Sequence, residues 1–427
     1  MENFLPEVRE QYEALPYPPR DPEDERRRLL TTWLDSLAMI NHYCFAGDRD
    51  FGDGFRVLVA GGGTGDGTIY LAEQLRATSA RIVHCDLSAA SIAIARRRAE
   101  IRGLDNIDWL QASLLELPQL GLGEFDYINC SGVLHHLHDP DAGLRALTRV
   151  LAADGAIGMM VYATYGRTGV YQMQELLRQI NSRTESIAGR LDNARQVLSM
   201  LPATNWFARG EQLFFDHRRG DAGIYDLLLH SQDRSYTVEQ LYCWLHDEHG
   251  FHIEFSDVGR GRSPYLPQLI LAPRPAPFLA TVARMPLRQQ QAIAELLGGT
   301  LVTHSFFLTR GSRVAAYRDP ASVPFFCHEP ITGPELSAII HRHAGSPFVL
   351  RHSHTGVNAQ VDTGRYGKFI LQYIDGRRSF DEVFSLVRGE EKFRQSPPTN
   401  AALFEDFAAL YEILNAIERM LLTRRRT

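Results

Sequence analysis

Residues 57–67, with the sequence VLVAGGGTGDG, decide the fold of this chain. The apolar run leads into a glycine-rich turn, and apolar residues recur after the turn at helical spacing, at Ile69, Ala72 and Leu75. This order predicts a strand, a tight turn and a helix whose N-terminal amides point into the turn. Glycines suit such a turn because side chains would block the close approach of a ligand to the backbone.

The spacing of the glycines restricts the ligand. A dinucleotide-binding turn needs the pattern G-x-G-x-x-G, and none of the registers that start at Gly61, Gly63 or Gly65 ends on a glycine. A phosphate-binding P-loop is excluded because no Lys-Ser or Lys-Thr pair ends the turn. Gly61-x-Gly63-x-Gly65 instead resembles the first motif of the class I S-adenosylmethionine-dependent methyltransferases. The resemblance implies S-adenosylmethionine as cofactor and methyl transfer as activity.

Later segments resemble the rest of that family's pattern in the same order. Residues 81–86 resemble the second strand, and Ser88 and Gly103 are typical of the start and the end of the helix that follows. Residues 107–112 resemble the third strand, and residues 125–137 resemble the fourth-strand motif. These segments therefore predict three further strands of one sheet.

The remaining strands complete the predicted fold. A helix that starts at residues 139–140 and closes at residues 154–155 leads to a fifth strand at residues 156–162. Two more strands are expected at residues 251–255 and 303–309. Repeated alternation of strand and helix implies a parallel sheet that is covered on both faces. The predicted fold is α/β, with a doubly wound seven-stranded methyltransferase sheet.

The resemblance also implies which residues bind the cofactor. Asp86, at the carboxyl end of the second strand, would accept hydrogen bonds from the ribose hydroxyls, and Ser113 and Leu114 would lie near the adenine. Val59 and Ser113 stand where many members have an acid, so the methionine amino group and the adenine need other partners. The candidate cofactor residues, including three polar residues available by position, are Gly61, Gly63, Gly65, Asp66, Asp86, Leu87, Ser113, Leu114, Asn129 and Ser131.

The length of 427 residues predicts more than one domain. We expect an N-terminal cap segment at residues 1–50, a methyltransferase domain at 51–315 and a further domain at 316–427. Insertions at residues 163–250 and 260–298 exceed ordinary connection lengths. We expect them to cover the cofactor as helical lids; the alternative is that they extend the core or form a dimer surface.

Residues 11–20 place Tyr12 and Tyr17 among prolines, which restrict the chain. In related methyltransferases a similar leading segment folds over the cofactor. The resemblance therefore implies that both rings lie beside the sulfonium or the acceptor, where an aromatic face stabilises a cation. The alternative is a surface arm that packs by its aromatic rings.

Candidate residues for the acceptor side follow the fourth and fifth strands. His135 and His136 are candidates for a general base. The alternative is that these histidines cap backbone groups beneath the cofactor. The candidate catalytic residues are His135, His136 and Tyr17, and the candidate substrate residues are Tyr12, Tyr162, Tyr165, Arg167 and Tyr171.

The sequence does not predict a metal site. The pairs His341/His343 and His352/His354 lack further ligands, because no H-E-x-x-H or Cys/His spacing is present. Methyl transfer needs no metal unless a catechol is chelated. The widely spaced cysteines predict reduced thiols rather than disulfides.

The C-terminal region has a different pattern. Prolines from about residue 316 suggest a linker, residues 366–383 predict helix, turn and helix, and residues 404–422 predict a last amphipathic helix. This order is similar to the winged-helix peptide-recognition modules that resemble PqqD. It implies a small α+β winged-helix-like domain, and the alternative is a plain dimerisation or packing domain.

Charge and composition restrict the partners. The formal net charge of -6 argues against a general nucleic-acid scaffold, and no apolar run approaches membrane-spanning length. The first ten residues lack the unbroken apolar stretch of a secretory signal. We therefore expect a cytoplasmic protein with no nucleic-acid or membrane partner, and a homodimer is allowed.

Two substrate classes stay open, a small metabolite and a side chain of a peptide or protein docked with help from the C-terminal region. Residues 129–132 do not form an N-P-P-Y or D-P-P-Y element, which argues against nucleic-acid base amino groups and glutamine amides as acceptors. A separate alternative is a non-catalytic binding module that kept the fold and lost the chemistry.

Overall fold

The structure, a computed structural model, describes residues 6–182, 185–272, 274, 276–328, 331–343, 348–352 and 356–424. These residues form two compact units, each built from separate segments of the chain. The first unit consists of the chain up to Ser36 with Asp50–Trp244 and Gly299–Leu308, and the second consists of Leu37–Arg49, Leu245–Gly298 and the chain from Thr309 onwards. The expected domain boundaries at residues 50 and 315 therefore differ from the observed units, because residues 37–49 and 245–298 cluster with the C-terminal region.

The regular elements are numbered in chain order. The strands are β1 (Arg56–Ala60), β2 (Arg81–Asp86), β3 (Ile107–Gln111), β4 (Phe125–Ser131), β5 (Leu151–Ala163), β6 (Ser235–Tyr236), β7 (His252–Phe255), β8 (Thr303–Thr309), β9 (Val323–Phe326), β10 (Phe348–His352), β11 (Val357–Val361) and β12 (Met420–Thr423). The α-helices are α1 (Pro6–Ala14), α2 (Leu37–Cys44), α3 (Asp66–Gln74), α4 (Ala89–Arg102), α5 (Pro140–Arg149), α6 (Thr168–Ile180), α7 (Ile187–Met200), α8 (Trp206–Gly210), α9 (Asp221–Ile224), α10 (Val238–Leu241), α11 (Pro267–Leu271), α12 (Leu279–Val282), α13 (Leu287–Gly298), α14 (Gly333–Arg342), α15 (Gly367–Tyr373), α16 (Phe380–Gly389) and α17 (Asn400–Ala416).

The first unit is built on a sheet with the strand order β3-β2-β1-β4-β5-β8, and β6 pairs with β5. The pairs among β1 to β6 are parallel. Leu58 of β1 lies opposite Val83 on one side and Ile128 on the other, and all three side chains are buried. This confirms the predicted α/β class with a parallel sheet, since strands buried on both faces form continuous apolar runs.

The helix signals in the sequence are confirmed at two helices. The side chain of Ser88 accepts a hydrogen bond from the amide of Ser91 at the start of α4, and Gly103 ends this helix with a φ of +66°. Asp139 caps α5, where its side chain accepts hydrogen bonds from the next amides. Helix α5 stops at Arg149, however, and β5 begins at Leu151, which pairs with Phe125. Residues 154–155 therefore lie inside a strand, and their prediction as a helix end is wrong.

The insertion at residues 163–250 is helical, as predicted, and its helices enclose their own apolar core. Helices α6 and α7 contribute Met173, Leu177 and Leu191 to this core, and all three are buried. Two π-helical turns, at Tyr225–Leu229 and Tyr242–Glu248, interrupt the α-helical pattern. The role of this insertion as a lid stays a prediction.

The core of the second unit lies among α14 to α17. Phe380, Phe384 and Phe407 are fully buried there. Helices α15 and α16 confirm the predicted helix, turn and helix. The prediction of one last helix at residues 404–422 is wrong at its end, because α17 stops at Ala416 and residues 420–423 form β12, which pairs antiparallel with β9. Glu418, with a φ of +55°, breaks the helix, and the fully buried run after it suits a strand.

All five cysteines are free thiols in the structure. Among the residues that the structure describes, helices fall short of the length and apolarity that a membrane span requires. Of the paired histidines, His354 lies outside the described residues.

Candidate functional site

The glycine-rich turn after β1 needs glycine for its geometry. Gly61, Gly63 and Gly65 have φ values of +73°, +51° and +97°, which side chains rarely allow. A Cβ on Gly61 would lie 2.3 Å from a methyl carbon of Val133, and one on Gly63 would lie 2.8 Å from the carbonyl oxygen of Tyr17. The turn is therefore packed closely from two sides by backbone and side chains of the same unit.

Asp86 ends β2 beside this turn. Its Oδ2 accepts a hydrogen bond from the amide of Gly63 at 2.7 Å, and its Oδ1 accepts one from the amide of Ser88 at 2.8 Å. Burial raises the pKa of Asp86, and these backbone amides oppose the rise. Each carboxylate oxygen has a further lone pair, so the side chain can still accept hydrogen bonds from two neighbouring hydroxyls.

Ser113 and Leu114 lie where the third strand ends, and their side chains already have structural roles. The hydroxyl of Ser113 caps the 3₁₀ helix Leu114–Gln119, and Glu116 reciprocates by accepting a hydrogen bond from the amide of Ser113. Leu114 is buried. Their contact with an adenine stays a prediction.

Asn129, on β4, contacts an acid that was not among the candidates from the sequence. Its side-chain amide donates a hydrogen bond to Asp35 Oδ1 at 2.7 Å. Burial raises the pKa of Asp35 to about 6, although the hydrogen bonds lower it in part. Asp35 adds a buried carboxyl group close to the start of α3, since a Cβ on Gly67 would lie 2.7 Å from its Oδ2.

Asp66, another candidate cofactor residue, is held in a network of charges. It forms ion pairs with Arg20 at 2.5 Å and with Arg98 at 2.7 Å. Arg98 is 1% exposed and also pairs with Glu25 at 2.7 Å, and Arg102 pairs with the second oxygen of Glu25. Burial opposes the ionisation of Asp66, but the hydrogen bonds and charges of the arginines lower its pKa. These ion pairs hold the N-terminal segment against α3 and α4.

The backbone of the N-terminal segment lies on the same turn. Thr64 donates its hydroxyl hydrogen to the carbonyl of Pro18 at 2.7 Å, and Ser88 donates to the carbonyl of Tyr12 at 3.0 Å. The side chain of Glu13 accepts hydrogen bonds from the first amides of α4. This placement accords with a segment that folds over the cofactor site.

Five residues, which we call the polar cluster, come together on the other side of Tyr12: Tyr12, His136, Tyr162, Asp226 and His230. Tyr12 donates its phenol hydrogen to Asp226 Oδ1 at 3.0 Å, and Tyr162 donates to Oδ2 at 3.3 Å. The rings of His136 and His230 stack with 3.8 Å between their centroids. Three of these residues were candidates from the sequence, and Asp226 and His230 were not.

The backbone of Gln232 fixes the tautomers of both histidines in the polar cluster. Its carbonyl oxygen lies 2.8 Å from His136 Nδ1, so this nitrogen carries a hydrogen and Nε2 of the neutral ring keeps its lone pair. Its amide donates to His230 Nδ1 at 3.1 Å, so the hydrogen of His230 is on Nε2. His230 Nε2 in turn lies 3.3 Å from the hydroxyl oxygen of Tyr12, which accepts this hydrogen.

His135 lies against the cluster but differs from His136. Both of its ring nitrogens are buried without a hydrogen-bond partner in the described structure, and its ring packs on Tyr162 with 3.9 Å between centroids. Burial, together with the charge of its neighbours, holds the pKa of His135 well below its usual value. A ring that resists protonation in this way is the poorer of the two candidates for a base.

Arg167 is buried and has a fixed role. It pairs with Asp233 at 3.1 Å and stacks on the ring of Tyr162 at 3.6 Å from the centroid. The ring centroid of Tyr171 lies 5.6 Å from the guanidinium carbon of Arg167. The candidate substrate residue Tyr165 is 40% exposed, and its contact with a substrate stays a prediction. Tyr17 lies near Asp226 and Asp216, and burial and these acids raise its pKa.

His136, Asp226 and His230 are also close enough to hold a metal ion, because their ligand atoms lie within 4.8 Å of one another. The hydrogen-bond pattern does not suit a metal. A metal at His230 Nε2 would require the hydrogen on Nδ1, and that nitrogen already faces the amide hydrogen of Gln232. The arrangement therefore fits a hydrogen-bond network, and the absence of a metal site stays a prediction.

Comparisons with known proteins find a match that includes the glycine-rich turn and much of the sheet. Residues 58–157 match the family model described as a methyltransferase domain. An uncharacterized protein from Synechococcus is 36% identical over 253 residues, which is 58% of this chain and 59% of that protein. The tRNA 5-carboxymethoxyuridine methyltransferase of Escherichia coli is 33% identical over 112 residues, 26% of this chain and 41% of that enzyme. The chain thus matches only about half the length of these relatives.

A solved structure resembles nearly the whole chain. PKMT2 from Rickettsia typhi superposes with a TM-score of 0.60 over 96% of this chain and 77% of that chain, at 15% sequence identity. The same protein has been solved in complex with AdoHcy, with a TM-score of 0.60 and 13% identity. At this identity the similarity shows a shared fold, and that fold extends beyond the 100 residues of the methyltransferase domain.

Proposed function

We propose that this protein is an enzyme that transfers a methyl group from S-adenosylmethionine to an acceptor. The observation that carries the proposal is the hydrogen bond from the amide of Gly63 to Asp86, which holds a carboxylate beside a turn built from glycines. The match of residues 58–157 to the methyltransferase domain model supports it. Gly61, Gly63 and Gly65 let the backbone approach the cofactor, and Asp86 holds the ribose.

The protein contributes mainly position in such a reaction. The bound sulfonium supplies an electrophilic methyl group, and an acceptor held in line at about 3–3.5 Å from it gains several kcal/mol of barrier reduction. The N-terminal segment lies on the turn through the contacts of Thr64 and Ser88, and in this proposal it shields the bound cofactor from water on that side. His136, with a free Nε2, is the group that removes a proton from the acceptor if the acceptor carries one.

The proposal also covers the C-terminal region, the insertion at residues 163–250, the location and the partners. The hairpin of β10 and β11 with α15 and α16 supports a winged-helix-like C-terminal region. The insertion at residues 163–250 supplies the acceptor side of the site through Asp226 and His230. The proposal also includes a cytoplasmic location, a small-molecule or peptide substrate, no nucleic-acid partner and a possible homodimer.

Calorimetry tests the cofactor directly. S-adenosylmethionine and its demethylated product should bind, and NAD and ATP should not. Asp86→Ala should weaken binding by about 1.5–3 kcal/mol, the range for a hydrogen bond to a charged group. Asp108→Asn, at an exposed acid on the neighbouring strand β3, is the matched control and should bind normally. Binding without methyl transfer to any fraction of a cell extract would favour the non-catalytic module instead.

A further inference from the structure

We propose that the acceptor is an amine, and that its nitrogen binds at the polar cluster between the carboxylate of Asp226 and Nε2 of His136. This inference rests on the proposed methyl transfer and names the class of the substrate. It is carried by three observations: the burial of Asp226 without a counter-ion, the fixed tautomer of His136, and the position of the cluster beside the cofactor turn.

Asp226 is a buried acid that lacks an ion pair. It is 3% exposed, and its hydrogen-bond partners are the two neutral phenols of Tyr12 and Tyr162. Within the described ranges of the chain, no basic side chain lies at ion-pair distance from it. A carboxylate taken out of water is costly unless a cation pairs with it. A substrate ammonium would supply the missing charge.

Arg167 cannot serve as that cation. Its guanidinium group pairs with Asp233 and covers one face of the Tyr162 ring. His135 packs on the same ring with 3.9 Å between centroids, so two buried side chains already cover the ring of Tyr162. Tyr162 therefore offers its hydroxyl group rather than its ring to the cluster. Two further titratable side chains, His136 and Asp216, lie near Asp226, and Asp216 adds negative charge.

His136 provides the proton acceptor that an amine requires. An ammonium group has no lone pair and cannot attack a methyl group, so one proton must leave first. The carbonyl of Gln232 holds the hydrogen of His136 on Nδ1, which leaves Nε2 free to take that proton. One ring nitrogen of His136 lies within 4.8 Å of a carboxylate oxygen of Asp226 and of a ring nitrogen of His230. The imidazole ring and the acid are therefore close enough for one substrate nitrogen to lie between them.

Tyr12 connects the polar cluster to the proposed cofactor site. The carbonyl of Tyr12 accepts a hydrogen bond from Ser88, two residues after Asp86, while its side chain reaches Asp226. His136 follows β4 and Tyr162 ends β5, so both stand at the carboxyl edge of the parallel sheet. Ligands of open α/β sheets bind at this edge.

The charges balance for an amine. The substrate R–NH₃⁺ gives one proton to His136 Nε2, and the nitrogen lone pair of R–NH₂ then forms the bond to the methyl carbon. The bond between sulfur and methyl breaks, and its electron pair stays on sulfur as a neutral thioether. The positive charge thus moves from sulfur to the nitrogen beside Asp226, which stabilises it in the transition state. A carboxylate, phosphate or phenolate acceptor would instead bring a second negative charge towards Asp226.

Chemical blocking of a cell extract tests the acceptor class with the full-length enzyme. The enzyme and methyl-labelled S-adenosylmethionine are added to three portions of the extract. The first portion is untreated. The second is acetylated with acetic anhydride and then treated with hydroxylamine to free the hydroxyl groups, and the third is esterified at the carboxyl groups of its molecules. We expect acetylation to reduce label transfer at least tenfold and esterification to leave it unchanged. Equal transfer into the acetylated portion overturns the amine and leaves methyl transfer standing. No transfer into any portion overturns the proposed methyl transfer.

The variant Asp226→Asn tests the residue assignment. It keeps an oxygen that accepts from a tyrosine and removes the charge, so transfer to the untreated extract should fall about 10- to 100-fold. Binding of the demethylated cofactor should stay within about twofold, which also reports that the variant is folded. Asp221→Asn, at an exposed acid five residues earlier, should transfer normally. Full transfer by a folded Asp226→Asn variant overturns the proposal.

Discussion

Tyr12 donates its phenol hydrogen to Asp226 across 3.0 Å, although 214 positions separate the two residues in the sequence. The same hydroxyl oxygen accepts from His230 Nε2, so one side chain links the N-terminal segment to the insertion at residues 163–250. The carbonyl of Tyr12 accepts a hydrogen bond from Ser88, two residues after Asp86 at the end of β2. Tyr12 therefore joins the proposed cofactor side of the site to the proposed acceptor side.

The first prediction concerns this hydroxyl. Tyr12→Phe should leave Asp226 and His230 each without one partner, at a cost of about 1–3 kcal/mol for buried polar groups. Methyl transfer should fall about tenfold, because the acid and the histidine lose their orientation. Binding of the demethylated cofactor, measured by calorimetry, should stay within about twofold, since the backbone contact with Ser88 remains. Tyr373→Phe, which removes a phenol that donates to a carboxylate in the second unit, should change neither quantity, and an equal loss in both variants would contradict the link.

The sheet and the turn could be predicted because local rules determine them. The glycines at residues 61–65 need backbone angles that other residues avoid, and Ser88 and Asp139 cap helices through contacts within three residues. Such signals are visible in a short window of sequence. The carboxyl edge of a parallel sheet then predicts where His136 and Tyr162 lie.

The acceptor side could not be predicted in the same way. Asp226 lies in a π-helical turn and Asp35 in a 3₁₀ turn, and neither belongs to a motif. Both become part of the site through contacts far along the chain, with Tyr12 and with Asn129. The burial that raises their pKa values is a property of the folded chain.

The second prediction concerns the pH dependence of stability. Burial raises the pKa of Asp35 from 3.8 to about 6 in the native state, so the native protein binds a proton more tightly than the unfolded chain does. The free energy of unfolding should therefore fall as the pH rises from about 4 to about 6, by at most about 3 kcal/mol. Above about pH 6 this contribution is constant.

Asp35→Asn should remove this slope, because an amide does not titrate. At pH 7.5 the variant should be more stable than the natural protein in the absence of cofactor, as measured by the urea midpoint. Asp108→Asn, at an exposed acid, should keep the slope of the natural protein. An unchanged slope in Asp35→Asn would show that another group titrates in this range.

The third prediction concerns the charges that hold the N-terminal segment. Glu25→Gln removes one of the two carboxylates that pair with the buried Arg98, which is 1% exposed, and leaves only the carboxylate of Asp66. Removal of one partner from a buried ion pair costs about 3–5 kcal/mol. The urea midpoint should fall, and cofactor affinity should fall with it because Arg98 also holds Asp66 and the carbonyl of Thr64. Glu23→Gln, at an exposed acid, is the control, and equal midpoints for both variants would contradict a structural role of the network.

The fourth prediction concerns metals. Because the amide of Gln232 faces His230 Nδ1, the polar cluster should not bind Zn²⁺ or Fe²⁺ stoichiometrically. Dialysis against a chelator should leave both cofactor binding and methyl transfer unchanged, as followed by calorimetry and label transfer. One equivalent of metal that is present in the protein and lost in His136→Ala would contradict the assigned tautomers.

The last prediction concerns the boundary of the second unit, which the sequence placed near residue 316. Helix α2 belongs to this unit, and three of its residues, Met39, Ile40 and Tyr43, are buried. The hydroxyl of Tyr43 donates to Glu418 at 3.0 Å, and His42 Nδ1 accepts from the amide of Leu422 at 3.0 Å. These contacts are made by the last strand and the turn before it, so a chain without its C-terminal region exposes an apolar helix near its N-terminus.

A chain that ends at Gly311 should therefore lose cooperative thermal unfolding and aggregate, whatever the acceptor is. The control is the full chain with a protease site inserted at the exposed Gly311 and cut after folding. This form keeps every contact of α2, so its two pieces should stay associated in gel filtration and bind the demethylated cofactor. If the shortened chain unfolds cooperatively and binds cofactor as the cut form does, the region after residue 316 is the independent domain that the sequence suggested.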